Sequence, residues 1–442
     1  MTKTKMETHA LSSEHLSFRQ SNRIKALTFL LLCTMLINGV LLWNSRSKFW
    51  HGYGDFASFY TAGTLVRRGL SSELYHPSAQ WKVQQELFFG VEIRKGPLPY
   101  IRPPFEALLF SLFARWDYPT ALAVWTILKL VLLAAIPFIV VWKTRWARPP
   151  PLWAIGLLSL GTYPGLIDTL MGQDAPVLAF LFALAFRQLE ADREATAGFI
   201  FGVALFKFQL VIPVILVLLI AGRKRVVSGF ALSGMVVLLV SAMMVGWTEI
   251  LEYPRYLLML NRTVGSGFIT AENQINLRGF LVLFVGRTQY PGPIHWLLVP
   301  VALALLLWAG VLWKNAGKNF LAEGFGLATI VAIATSYYAY EYDLLLLLVP
   351  FLAIWSRRPK MTADRLSDRL EITGLVALLM MPLFWYLRVK LKAQFLMTIP
   401  LLAIGVAWGR KLHAARGKDR IGERPSYEKS DARTGSLQRH GS

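Results

Sequence analysis

Apolar runs about long enough to cross hydrocarbon recur along this chain, and most of them end in a cluster of Lys and Arg. A soluble domain cannot bury so many continuous apolar helices, so the pattern commits the chain to a bilayer. Composition agrees, with 55% hydrophobic and only 17% charged residues among 442. Trp, Tyr and Phe supply 13% of the chain, which suits many membrane–water interfaces, and 22 Pro with 33 Gly fit broken or tightly joined helices. The net charge of +21 would point to nucleic acid in a soluble protein, but here it is the surplus of cytoplasmic Lys and Arg. No nucleic-acid partner is expected. The single cysteine, Cys33, excludes a disulfide framework and a cysteine metal site within one chain.

The basic clusters set the orientation. Lys3, Lys5, Arg19, Arg23 and Lys25 precede or open the first run, Ile24 to Trp43, and place residues 1–23 in the cytoplasm. The run is longer than the apolar part of a typical signal peptide and lacks a small-residue cleavage site, so an uncleaved span is expected. Lys143 to Arg148 follow the span Pro119 to Trp142, Arg187 and Arg193 follow a span from about Ala175, and Arg223-Lys224-Arg225 follow an apolar stretch ending at Ala221. Lys314 with Lys318, Arg357 to Lys360, and Arg410-Lys411 repeat the pattern. One stretch breaks it: Ala197 to Ala221 is one span long but has basic clusters at both ends, with Lys207 and Pro213 inside. A pair of short or broken helices, bent toward the outer face with Lys207 near a cavity there, keeps both clusters inside. The fold class is then an all-α polytopic membrane bundle of about 12 crossing or re-entrant helices, with both termini cytoplasmic.

Three regions are expected: residues 1–23, a membrane domain over 24–408, and a disordered basic cytoplasmic tail over 409–442 that anionic membrane lipids attract. Long outer segments are expected at about 44–104 and 247–279. The first shows helical spacing in Phe56, Phe59, Tyr60 and Gly63, and again in Trp81, Gln84, Leu87 and Phe88, which predicts interfacial amphipathic helices.

The orientation gathers polar residues on the outer face. Asp55, followed by an aromatic-rich helical pattern, reads in isolation as a helix N-cap. Tyr100-Ile101-Arg102-Pro103-Pro104 suits a helix start, and its Arg could hold a phosphate. Gly172-Gln173-Asp174 joins two spans, with Asp168 one turn earlier. Lys207 is a cation inside an apolar stretch, a rarity that marks a site or a side chain snorkelling to the interface. Asn276 and Arg278 fall in the second outer segment, and Tyr342-Asp343 lies between two later spans. The cytoplasmic loops offer no comparable set. Carboxylates, cations and aromatics on one face suit proton transfer and phosphate stabilisation on a lipid-linked substrate.

In this order the segments resemble glycosyltransferase family 87, integral-membrane enzymes of the GT-C class. The matching pieces are Asp55, Phe59, Tyr60, Ala62 and Gly63; Tyr100 to Pro104; Gly172-Gln173; Lys207-Phe208-Gln209; and Tyr342-Asp343. Arg102 stands where the family often has an aromatic, and Asp174 where it commonly has Asn. The resemblance implies inverting transfer of a sugar, typically mannose, from a polyprenyl-phosphate donor to a lipid or glycan acceptor at the outer side of the plasma membrane, with Asp55 as general base. The residues show no evident metal-ligand cluster and no nucleotide-binding motif, and no cofactor is expected. From topology, Lys207, Arg102 and Arg278 are the cations for the donor phosphate, in that order. Tyr60, Tyr100, Gln173, Asp174, Asn276, Tyr342 and Asp343 complete the expected substrate contacts. The competing classes are a lipid-linked sugar transporter or flippase, disfavoured by the one-sided polar set, and transfer of another sugar such as arabinose.

Overall fold

The computed structural model of the protein describes residue 29 and residues 32–88, 97–141, 161–263, 273–285, 293–356, 364–380 and 394–422, which contain helices and turns and no strand. The first helix, α1, covers 32–50. It is followed by α2 (Phe56–Arg67), α3 (Pro77–Leu87), α4 (Pro104–Phe113) and α5 (Tyr118–Val141). A central group comprises α6 (Tyr163–Met171), α7 (Ala175–Glu190), α8 (Glu194–Val203), α9 (Phe208–Ile220) and α10 (Lys224–Val245). Then come α11 (Trp247–Thr263), α12 (Leu277–Val285), α13 (Pro293–Ala316), α14 (Leu321–Thr335), α15 (Leu348–Ser356), α16 (Arg365–Leu379) and α17 (Thr398–Gly422).

Among the described residues, four stretches are long and apolar enough to cross a membrane: Tyr118–Val141, Glu194–Ile220, Lys224–Val245 and Trp296–Ala316. Their outer faces are apolar as well. Leu232, Met235, Val236 and Met243 of α10 and Trp296, Leu297, Leu303 and Leu307 of α13 stand exposed, an arrangement that lipid tolerates and water penalises. Other helices, such as α7 with 16 residues and α14 with 15, fall short of the roughly 20 residues of a full crossing. The expected count of about 12 is therefore not reproduced helix for helix.

The stretch Glu194–Ile220 is folded back on itself. Arg223 Nη1 lies 2.8 Å from Glu194 Oε1, whereas a straight helix joining them would hold them about 40 Å apart. Glycine contacts give the same answer. A Cβ on Gly229 would come 1.9 Å from the Ala195 carbonyl, one on Gly198 1.9 Å from the Val226 carbonyl, and one on Gly202 2.4 Å from Ser233 Cβ. Glu194 with Arg223, Gly198 with Val226 and Gly202 with Ser233 advance in the same sense, so α8 and α10 run parallel and α9 must return between them. A 3₁₀ turn over Ala204–Lys207 makes the reversal and puts Lys207 at the tip, as the flanking charges predict.

Three expectations need correction. The helix α1 does not stop at Trp43 but runs to residue 50, while most of 24–31 lies outside the described residues. Helix α2 is not interfacial: Phe56 to Leu65 are all buried, Phe59 stacking on Phe110 at 4.8 Å and Phe56 on Trp125 at 6.3 Å. The basic segment after Gly409 is helical to Gly422, because acidic residues of α16 hold it. Arg410 Nε bonds Asp364 at 2.9 Å, and Lys411 reaches both Asp368 and Glu371. Asp364 also caps α16, accepting from the Leu366 and Ser367 amides. Arg410 and the Ser367 hydroxyl hold its carboxyl below the usual carboxylate range, so this contact persists at neutral pH and is lost only on acidification. Residues 423–442 lie outside the described residues.

Two apolar clusters result. One is built on α2, α4 and the start of α5, with Tyr75 and Tyr256. The other joins α7, α9, α14, α15 and α17. With cysteines at Glu194 and Arg223 in a Cys33→Ser background, a short bis-maleimide is expected to give an intrachain crosslink detectable by peptide mass spectrometry. An uncrosslinked product with both thiols reactive would restore a single straight span.

Candidate active site

The polar side chains meet where the two apolar clusters adjoin, and each is delivered by irregular backbone. Leu98 to Arg102 belong to no helix or strand, so side chains satisfy their backbone polar groups. Gln84 takes both the amide and the carbonyl of Leu98, and Gln80 accepts from the Tyr100 amide. The hydroxyls of Tyr256, Tyr253 and Tyr75 donate to the carbonyls of Tyr100, Ile101 and Arg102. Pro103 and Pro104 then open α4. This scaffold fixes the direction in which Arg102 leaves the chain.

Helix α6 stops at Gly172, whose φ of 67° is left-handed and whose absent Cβ leaves room for Phe56. Helix α5 braces that stop: Trp125 Nε1 donates to the Gly172 carbonyl at 2.9 Å, and Lys129 Nζ to the Asp168 carbonyl at 3.0 Å and carboxylate at 2.6 Å. Gln173 and Asp174 emerge from this turn. On the opposite side Asp343 opens a 3₁₀ segment, Glu341–Leu347, its Oδ2 accepting from the Tyr340 amide at 3.0 Å.

One continuous chain of polar contacts results. Asp55 Oδ2 accepts from Gln173 Nε2 at 2.7 Å. Gln173 Oε1 accepts from Arg102 Nη2 at 3.1 Å, and the same nitrogen lies 3.0 Å from Asp174. Asp174 Oδ1 meets Lys207 Nζ at 2.8 Å, and Lys207 Nζ meets Asp343 Oδ1 at 2.7 Å. Arg102, Gln173, Asp174, Lys207 and Asp343 are each 5% exposed or less. Asp55 is only half-buried, so it is the end of the chain that a substrate can approach.

Asp55 occupies the N-cap position of α2 but makes no side-chain cap bond. Its carboxylate faces Gln173 instead of the helix amides, which removes the bland explanation for an acid at this place. Tyr340 and Tyr342 lie within its electrostatic reach, and Lys207 sits 4.8 Å above the Tyr342 ring.

Other expected contacts are placed differently. Lys207 lines no open cavity, being 1% exposed and held between two carboxylates. Tyr60 donates to the Trp116 carbonyl at 2.6 Å and packs among Phe56 and Tyr118. Tyr100 is fully buried, with its hydroxyl 3.2 Å from Glu106. Asn276 is also fully buried and organises backbone: it donates to the Ser336 carbonyl at 2.8 Å and accepts from the Gly279 amide at 2.9 Å, at the start of α12. Arg278 lies over the Tyr337 ring at 4.1 Å, half-buried, and forms no ion pair among the described residues. Tyr340 is in electrostatic reach of both Arg278 and Asp55, so the two share a neighbourhood.

Two functional contributors escaped the sequence reading. Glu106, in the first turn of α4, is buried, accepts from the Tyr100 hydroxyl and lies within electrostatic reach of Asp174 and Arg102. Lys129 stands in the middle of an apolar span, a signal as strong as that of Lys207.

Residues 100–337 match the model of glycosyltransferase family 87. The chain belongs to that family. It is a glycosyltransferase, with a donor and an acceptor substrate. The matched segment contains Arg102, Gln173, Asp174, Lys207 and Arg278, while Asp55 and Asp343 lie outside it and join the same polar chain through Gln173 and Lys207. No curated protein and no solved structure matches the sequence.

A glycosyltransferase site mounted on buried ion pairs depends on both partners. Lys207→Met leaves Asp174 and Asp343 without their shared cation, and a loss of about 3–5 kcal/mol is expected, read as a large fall in thermal midpoint in detergent. An unchanged midpoint would show that the pairs do not hold this site together.

Proposed function

We propose that the protein transfers a glycosyl group, most simply mannosyl, from a polyprenyl-phosphate sugar to the hydroxyl of a lipid or glycan acceptor at the outer face of the plasma membrane. The supporting observation is the Asp55 carboxylate: half-buried, released from helix capping, and bonded to the Gln173 amide at the accessible end of a buried ionic chain. Both termini are assigned to the cytoplasm from the flanking charges.

In the reaction Asp55 takes the proton of the acceptor hydroxyl as its oxygen bonds to the anomeric carbon. The bond from that carbon to the donor phosphate oxygen breaks, and its electron pair leaves with the polyprenyl phosphate. Attack from the face opposite the leaving group inverts the anomeric centre. A base of this kind contributes about 10²–10⁴-fold in rate.

The departing phosphate gains negative charge that a cation must meet. Lys207 and Arg102 are already compensated by Asp174 and Asp343, so the order drawn from topology reverses and Arg278 comes first. Its guanidinium lies over the Tyr337 ring in a cation–π contact and pairs with no carboxylate among the described residues.

Asp55→Asn is expected to reach the membrane, retain its thermal midpoint, and lose at least about 100-fold in transfer from a short-chain polyprenyl-phosphate mannose. Near-normal turnover of that variant would remove Asp55 from the reaction. Consumption of a different polyprenyl-phosphate sugar by the wild-type enzyme would correct the donor and leave the base in place.

A further inference from the structure

The Gln173 amide donates to the Asp55 carboxylate, and the orientation of that amide is not free. Arg102 has no acceptor capacity, so the atom of Gln173 that faces Arg102 Nη2 at 3.1 Å must be the carbonyl oxygen. The amino group is thereby turned toward Asp55, at 2.7 Å. Arg102 in turn is immobilised from both ends. Its backbone carbonyl is held by Tyr75, and its guanidinium by Asp174, which Lys207 anchors to Asp343.

From this geometry we infer that Gln173 is the positioning residue of the catalytic base and that Arg102 fixes it in the donating orientation. The inference rests on the reading of Asp55 as that base. It reassigns Gln173, Arg102 and Lys207 from substrate contacts to the mount of the reacting carboxylate. Gln173 is 5% exposed, and each end of its amide is committed to a protein partner.

The arrangement has two consequences. The amide fixes Oδ2 and with it the direction in which the carboxylate is presented. The donated N–H also favours the ionised form of Asp55, keeping it ready to accept a proton as the medium becomes more acidic. The groups that face Asp55 from the neighbouring elements are Gln173 from the α6–α7 turn and Tyr340 and Tyr342 from the segment before α15, with Arg102 and Asp174 one residue further and Lys207 behind them. Arg278 also lies within electrostatic reach of Tyr340, and the Gln173 amide is at bonding distance of Asp55.

The test compares the pH profile of kcat and the donor KM for wild type, Gln173→Ala and Gln173→Glu, with Asp55→Asn as reference, using a short-chain polyprenyl-phosphate mannose. Gln173→Glu keeps the acceptor for Arg102 but sets a second carboxyl against Asp55. Its acidic limb is expected to move up by about one pH unit or more, since two carboxyls in contact do not ionise together. Gln173→Ala adds no charge; it is expected to move the limb in the same direction by less and to lower kcat about 10-fold, with donor KM changed less than about 2-fold. If Gln173→Glu does not fold, Gln173→Ala alone decides. An acidic limb at the wild-type position in the folded Gln173 variants, or a loss carried by KM, overturns the inference and returns Gln173 to substrate binding. Those results with an inactive Asp55→Asn leave the base assignment standing, whereas an active Asp55→Asn removes the base and the inference together.

Discussion

The Asp174 carboxylate receives charge from two directions, from Arg102 at 3.0 Å and from Lys207 at 2.8 Å, in a place where it is 1% exposed. Desolvating such a group costs several kcal/mol, and only complete pairing recovers that cost. Every nearby element answers to this demand. The irregular segment carrying Arg102, the stop at Gly172 and the reversal at Lys207 are each an interruption of regular helix, tolerated because protein groups satisfy the freed backbone. The interruptions are where the chemistry-bearing side chains emerge.

This explains why breaks in the helices and the candidate site coincide. A continuous helix turns its side chains around its own axis and cannot aim several of them at one point from different parts of the chain. The 3₁₀ tip at Ala204–Lys207, the turn after α6 and the 3₁₀ segment at Glu341–Leu347 present theirs end-on. The apolar helices supply depth and rigidity. The ion pairs then lock the breaks to each other, and Asp55 remains the accessible end of the assembly.

Much of this was legible in the residues. Flanking Lys and Arg predicted the fold-back at Lys207, because no single crossing keeps both basic clusters on one side. Topology grouped Asp55, Arg102, Gln173, Asp174, Lys207 and Asp343, six residues that the structure links through contacts of 2.7–3.1 Å. Pairing was not legible. A lone cation in an apolar run announces that something must compensate it, but not whether that partner is a substrate phosphate or a buried carboxylate. Lys207 finds two carboxylates, so its expected role as the leading phosphate ligand does not follow from its position. Tyr60, Tyr100 and Asn276 illustrate the same limit: each is polar and correctly placed along the chain, yet each spends its hydrogen bonds on backbone or Glu106 inside the fold. The helical course of 409–422 depends on acidic partners from another helix, which local composition does not reveal.

The central claim is that the buried ion pairs mount the base and do not bind the leaving group. A structure of the enzyme with a non-hydrolysable polyprenyl-phosphonate sugar, at a resolution that places the phosphorus, tests it most directly. The account predicts the phosphonate beside Arg278, the anomeric carbon on the Asp55 side of Gln173, and Lys207 still bonded to Asp174 and Asp343. A phosphonate in contact with Lys207, with Asp343 displaced, would contradict it.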